Sequence, residues 1–250
     1  MISVGVLTPH AAAGPDAEFP FIAPNRVRTR VSRIQLSASS RPNEPEPPAT
    51  VTDLAALSTA EALDQAAAAL PAGSFEVLAW ASTSSGYVIG YDAELALVEG
   101  LRARWGVPVC STSASVVSAL RLHRLQRISL IHPPWFGTEQ NQLGATYFRS
   151  QGFEVVDADL ADLPNDPDQI RPAMVVEWVS QQLSNRAEAV VLGGNGFRAA
   201  GAVQELEDRH GRLVLEANQV LLWSVLRSVD VSVDIEGFGG LSEHPPPGRA

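Results

Sequence analysis

The stretch that most limits what this chain can fold into is Ala189-Val190-Val191-Leu192-Gly193-Gly194-Asn195-Gly196-Phe197. Four apolar residues run without alternation into a glycine turn, and a helical pattern follows. A strand with no polar face belongs in a parallel sheet covered by helices on both sides. A glycine turn at its carboxyl end brings backbone N–H groups to the mouth of a cleft. Val77-Leu78-Ala79-Trp80-Ala81 repeats the pattern and opens into the hydroxyl-rich turn Ser82-Thr83-Ser84-Ser85-Gly86. The two turns are expected to face each other across one small-molecule site.

The rest of the chain alternates in the same way. Strands are expected at 2–7, 26–36, 77–81, 107–110, 128–131, 153–157, 188–192 and 212–216. Helices are expected at 53–70, 88–105, 113–123, 138–151, 169–184, 198–210 and 218–228, the first capped by Asp53 or Thr52. Arg26, Arg28 and Arg30 alternate with apolar residues, which suits an edge-like strand with one wet face. Residues 40–50 read as a surface loop and 157–168 as an acidic loop.

Strands separated by helices predict parallel sheets built from right-handed crossovers. The expected fold is α/β: two similar four-stranded parallel-sheet, Rossmann-like halves with the site in the cleft between them, at the carboxyl ends of strands. The first half would comprise 1–112 with about 218–240, and the second 113–217, leaving 241–250 as a mobile tail. A single eight-stranded barrel is the alternative.

Composition removes several function classes. A net charge of −10 argues against nucleic acid and anionic membrane as partners. All 18 basic residues are arginine, so Schiff-base chemistry and a phosphate-loop lysine are both absent. One cysteine, Cys110, permits no internal disulfide, which fits a cytoplasmic setting. The opening residues lack the basic start of a signal peptide, and no apolar run approaches the roughly 20 residues of a membrane span. No His/Cys/Asp spacing suggests a metal site.

The motifs in order resemble the aspartate/glutamate racemase superfamily, in its arylmalonate decarboxylase and maleate cis-trans isomerase branch. The resemblance rests on Gly5-Val6-Leu7-Thr8-Pro9-His10-Ala11-Ala12-Ala13-Gly14-Pro15, on Ser82-Thr83-Ser84-Ser85-Gly86-Tyr87, and on Gly106 to Ala114 with Ala119-Leu120-Arg121. It continues through Leu192-Gly193-Gly194-Asn195-Gly196 and Asn218 to Trp223. It implies the two-halved fold, a carboxylate-binding cradle and chemistry that needs no cofactor. Racemases of the family carry one cysteine on each turn, and its decarboxylases keep the second. At those positions this chain has Ser82 and Asn195, and His132-Pro133-Pro134 stands where the family has a tyrosine.

The candidate catalytic residues are therefore Ser82, Asn195, His10 and His132. Asn195 can donate and accept hydrogen bonds but cannot exchange a proton near neutral pH, and between glycines it also suits a left-handed turn. Histidine is the natural acid or base in that range, and both His10 and His132 follow strands. Glu216 ends the last strand and is a further candidate. The candidate substrate-binding residues are Pro9, Thr83, Ser84, Gly194, Gly196, Phe197 and Trp135. Thr83 and Ser84 could hold a carboxylate or enediolate, or simply cap a helix. Cys110 reads as a small core residue.

Three functions stay open. One is a cofactor-independent decarboxylase or isomerase acting on a small carboxylate through an enediolate-like intermediate. Another is hydrolysis or hydration with His10, His132 or Glu216 activating water. The third is a non-catalytic carboxylate-binding protein. The expected partner is a small carboxylate, and self-association into a homo-oligomer is left open.

Overall fold

A computed structural model describes residues 1–10, 13–35, 49–231 and 235–242. Its described part is an α/β fold of two sheets, each with four parallel strands. The first half runs β1 (Ile2–Thr8), α1 (Pro15–Ile22), β2 (Val27–Arg33), α2 (Val51–Leu57), α3 (Ala60–Ala68), β3 (Val77–Trp80), α4 (Thr83–Ile89), α5 (Tyr91–Trp105) and β4 (Val109–Ser111). The chain continues through α6 (Thr112–Leu122), β5 (Arg127–His132), α7 (Thr138–Ser150), β6 (Glu154–Leu160), α8 (Pro172–Gln182), β7 (Ala189–Leu192), α9 (Val203–His210), β8 (Leu213–Glu216) and α10 (Ala217–Ser228).

The strand orders are β2-β1-β3-β4 and β6-β5-β7-β8, so each half has the same winding. This excludes the single barrel. The unbroken apolar runs occupy inner positions, as a strand covered on both faces must. Every residue of β3 and β7 is buried. β2, with its arginine alternation, is an edge strand with a mixed face.

Two helices tie the halves together. α6 leaves the first sheet and sends Val116, Val117 and Leu120 into a core with Ile128 and Leu130 of β5 and Phe148 of α7. α10 leaves the second sheet and packs Leu221, Leu222, Val225 and Leu226 against Val4 and Val6 of β1 and Val77 and Ala79 of β3. The carboxyl ends of β1, β3, β4, β5 and β7 are thereby held around one cleft.

Several boundaries differ from expectation, for local reasons. The helix expected at 53–70 is two helices. Thr50 caps α2 in a reciprocal box with Asp53, and Thr59 caps α3 by accepting from Ala62 N–H. The hydroxyl turn at 82 is itself helical. α4 begins at Thr83, and Gly90 (φ 82°, ψ 161°) separates it from α5. β6 extends through Leu160, into the stretch expected to be an acidic loop. α9 starts only at Val203, after an irregular turn. α1 was not anticipated. Most of the 40–50 loop, Ala11 and Ala12 of the first loop, and residues 243–250 of the expected tail lie outside the described residues.

Two glycines of the α4–α5 region, half-buried Gly90 and exposed Gly100, make opposite predictions. Gly90 holds a backbone conformation essentially reserved for glycine, so Gly90→Ala should cost on the order of 1–3 kcal/mol. Gly100 lies inside α5, and a Cβ there meets nothing within 4 Å. Gly100→Ala should therefore raise stability by about 0.5–1 kcal/mol. Urea unfolding of the two variants checks both signs.

Candidate functional site

The site is built where the turn after β7 meets the turn after β3. Gly194 supplies the positive φ (99°) that reverses the chain after β7, while Asn195 lies outside the left-handed region. The left-handed conformation expected of Asn195 thus belongs to its neighbour. A Cβ on Gly193 would sit 2.6 Å from His132 Cδ2, and one on Gly194 would sit 2.9 Å from Pro133 Cδ. The glycines let the turn press against the end of β5.

Asn195 is 1% exposed and is the hub of the cleft. Its Oδ1 accepts from the Thr83 amide at 3.1 Å and the Thr83 hydroxyl at 3.1 Å, with Thr112 Oγ1 at 3.3 Å. Its Nδ2 donates to Asn218 Oδ1 at 2.9 Å and to Thr112 Oγ1 at 3.1 Å. The Gly194 amide donates to Thr83 Oγ1 at 3.1 Å, which locks one turn onto the other. The Thr83 donors are arranged as an anion-holding site would arrange them. Here the oxygen they hold is the side-chain carbonyl of Asn195.

Ser82 has a different place. Its hydroxyl accepts from the Ser85 amide at 3.3 Å and donates to Ser85 Oγ at 2.7 Å, so it caps α4. Ser84 is buried on the first turn of α4. Phe197 is part of the second half's core, edge-on to half-buried Trp135 at 6.2 Å.

The two histidines are brought to different environments. His132 is fully buried. Asn141 donates its Nδ2 to Ala158 O, so its Oδ1 faces His132 Nδ1 at 2.6 Å and assigns the ring proton to Nδ1. Nε2 then accepts from the Tyr87 hydroxyl at 3.3 Å. Burial lowers the pKa of His132 to about 4, so the ring is neutral at pH 7. His10 lines a narrow cleft with Thr8, Gly14, Pro15, Asp16, Arg33, Asn195 and Gly196. Burial, then the Arg33 guanidinium, lowers its pKa to about 4 as well. His10 is thus a neutral imidazole beside a cation and next to Asn195.

Arg33 and Glu18 carry no motif in the sequence, and Asn218 opens the matched last helix without marking a role at the site. Arg33 ends β2 in register with Thr8, and its guanidinium donates to the His10 carbonyl. It was overlooked because the arginine alternation of β2 reads as a wet face. Asn218 and Glu18 lie behind Asn195. Asn218 Nδ2 donates to Glu18 Oε2 at 2.6 Å and to the Asn195 carbonyl at 2.8 Å. The Ala200 amide donates to Glu18 Oε1 at 2.9 Å.

Glu216, placed at the end of β8 as expected, caps α10 by accepting from the Asn218 and Gln219 amides on Oε2. Its Oε1 meets no donor among the described residues, and Glu18 lies within hydrogen-bonding reach. Two buried carboxyls in contact must share a proton. Burial pushes both upward, Glu18 to about 7 and Glu216 well above the ordinary carboxylate range. Cys110 is buried on β4, and burial raises its thiol pKa. No group of three or more His, Cys, Asp or Glu residues that could hold a metal occurs among the described residues. None of the described helices is long and apolar enough to cross a membrane.

A roomier groove of about 680 Å³ lies along β4 between α5, α6 and α10. Its Ser115 and Ser118 hydroxyls donate back to helix carbonyls, and it contains neither turn.

Comparison with known proteins gives a consistent picture. A family model described as arylmalonate decarboxylase matches residues 51–242. A maleate isomerase of Geobacillus stearothermophilus is 26% identical over 137 residues, an alignment that spans 54% of each chain. The chain thus spans about half the length of that curated relative. The crystal structure of the maleate isomerase Iso from Pseudomonas putida S16 superposes with a TM-score of 0.79 at 17% identity, covering 98% of this chain and 99% of that one. A crystal structure of arylmalonate decarboxylase gives 0.79 at 17% identity, covering 96% and 99%. A Nocardia farcinica maleate cis-trans isomerase structure gives 0.77 at 21%, covering 97% and 98%.

The carboxyl pair makes stability pH-dependent. Glu18 holds its proton more tightly in the folded chain than in the unfolded one. Its contribution is therefore complete below about pH 4.5 and is lost as pH rises through about 7. The melting temperature should fall across that window. Glu216→Gln, which keeps a permanent hydrogen-bond donor toward Glu18, should flatten the fall.

Proposed function

The chain belongs to the arylmalonate decarboxylase family, and from that premise we propose a cofactor-independent lyase or isomerase acting on a small carboxylate. The reaction passes through an enediolate-like intermediate and uses no catalytic cysteine. The observation that carries this reading is the pair of Thr83 donors converging on one buried oxygen. Substrate binding replaces Asn195 Oδ1 there with a carboxylate oxygen, and the same donors then hold the charge of the enediolate. Arg33, on the cleft wall, pairs with a second carboxylate or with the carboxyl group to be lost.

On this reading Ser82 and Asn195 take the places of the family's thiols, and proton transfer falls to another group. His10 is the residue we assign to it. It lines the cleft beside Asn195, and its neutral imidazole can relay a proton, giving one from one ring nitrogen to the enediolate while taking one from solvent on the other. His132 and Glu216 are fully buried and held by protein partners, which favours positioning roles over attack through an activated water. One observation favours a second reading, a non-catalytic carboxylate-binding protein. The turns bind each other through Asn195, which itself cannot exchange a proton.

Turnover of phenylmalonate and maleate in heavy water, with deuterium uptake into product, separates the readings. Thr83→Val should lower turnover on the order of 10²-fold. His10→Asn should lower it by about 10²-fold or more. Cys110→Ala should leave it within about 3-fold, because a buried thiol with a raised pKa is a poor nucleophile. Loss of turnover in a folded Cys110→Ala variant would sink the thiol-free mechanism. Binding of both acids with no turnover would establish the second reading.

A further inference from the structure

Asn195's amide has a direction, set at the cleft by the Thr83 amide, which can only donate, and from behind by groups outside the cleft. An asparagine can turn its side chain over and exchange carbonyl for NH₂ at little intrinsic cost. Its neighbours decide which end faces which partner. Thr112 Oγ1 decides nothing, because a hydroxyl can donate or accept. Asn218 presents its Oδ1 to Asn195 Nδ2, and Asn218 is itself an amide that could turn over. Its direction is fixed by two acceptors of Asn218 Nδ2: the Asn195 backbone carbonyl, and Glu18 Oε2 while that carboxylate is ionised. Glu18 Oε1 accepts from the Ala200 amide, so both of its oxygens face donors. Burial and the neighbouring Glu18 raise the pKa of Glu216, and Arg198 adds a positive field at Glu18 while pairing with Asp168.

The polarity therefore runs one way, from the Glu18 carboxylate to Asn218, to Asn195 and to the Thr83 donors. We propose that Glu18 and Asn218 are positioning residues that fix the direction of Asn195's amide, so that its carbonyl fills the Thr83 donor pair until a substrate oxygen replaces it. Reversing the chain would aim an NH₂ group at the Thr83 amide, where two donors would oppose each other. It would also place a donor beside the incoming carboxylate. Neither Glu18 nor Asn218 lines the cleft, so each acts through Asn195. The role in substrate binding rests on the function proposed above, whereas the direction of the amide does not.

One-way polarity predicts a rescue that packing alone does not. Glu18→Gln cannot accept from both Ala200 and Asn218, because one of its two polar atoms becomes a donor. Asn218→Asp sets a second carboxylate against Glu18. Combined, the two changes suit each other. The new amide accepts from Ala200 and donates to the new carboxylate, which still accepts from Asn195 Nδ2. The bond to the Asn195 carbonyl is replaced by two acceptors facing each other, so the rescue is partial.

The experiment uses ¹⁵N-labelled full-length wild type, both single variants and the double variant. It reads the Asn195 side-chain amide resonances, assigned with Asn195→Asp, the phenylmalonate dissociation constant by calorimetry, and the melting temperature. Each single variant should shift those resonances and weaken phenylmalonate about 10-fold or more, the cost of one mispaired buried polar group. The double variant should return the resonances toward wild type and recover part of the affinity lost in the singles. Singles that lower the melting temperature while leaving the Asn195 resonances in place overturn the proposal. So does a double variant no better than the singles. If Asn218→Asp does not fold alone, folding of the double variant is the rescue, and a double variant that stays unfolded overturns it. If wild type binds no phenylmalonate, the function proposed above fails and the resonances alone decide the positioning role.

Discussion

The structure depends on one buried side chain whose two ends must be matched at once. Asn195 is enclosed by residues from both halves, and an unpaired amide there would cost about as much as a buried hydrogen bond lost outright. Thr83 satisfies its carbonyl from the first half's turn, and Asn218 satisfies its NH₂ from the start of α10. The same contacts close the interface between the two sheets' carboxyl ends.

This arrangement explains why so much polarity is tolerated in the interior. Glu18, Glu216, Asn218, Thr83 and Thr112 are all buried beside large apolar cores. Each is hydrogen-bonded, and the two carboxyls reduce their joint charge by sharing a proton. A third buried carboxyl, Glu94, performs a similar task away from the cleft. It accepts from the Tyr147 hydroxyl and from the Ala114 amide, joining α5, α6 and α7. Polar groups here cross between elements that apolar contacts alone would leave free to slide.

Much of the fold was legible because its signals are local. β3 and β7 are wholly apolar and end in turn residues, which fixes them as inner parallel strands, and the two sheets follow from the alternation. α4 was harder to place. Ser82 to Ser85 have weak helix propensity, and burial plus the Ser82 cap override it. α1 is eight residues with proline at its first position and inside it, a pattern that reads as loop. At the site, the meeting of the two turns was legible but its content was not. Glu18 and Asn218 are 200 residues apart, and Arg33 reaches the cleft only through the register of β1 and β2. Such contacts exist in the winding of the sheets and leave no mark on any short stretch of sequence.

The central claim is that Asn195's carbonyl occupies a place made for a substrate oxygen. A crystal structure of the protein soaked with phenylmalonate tests it most directly. The account predicts a carboxylate oxygen within hydrogen-bonding distance of the Thr83 amide and hydroxyl, with the Asn195 side chain turned away from them. A ligand bound in the cleft while Asn195 Oδ1 still accepts from Thr83 would contradict it.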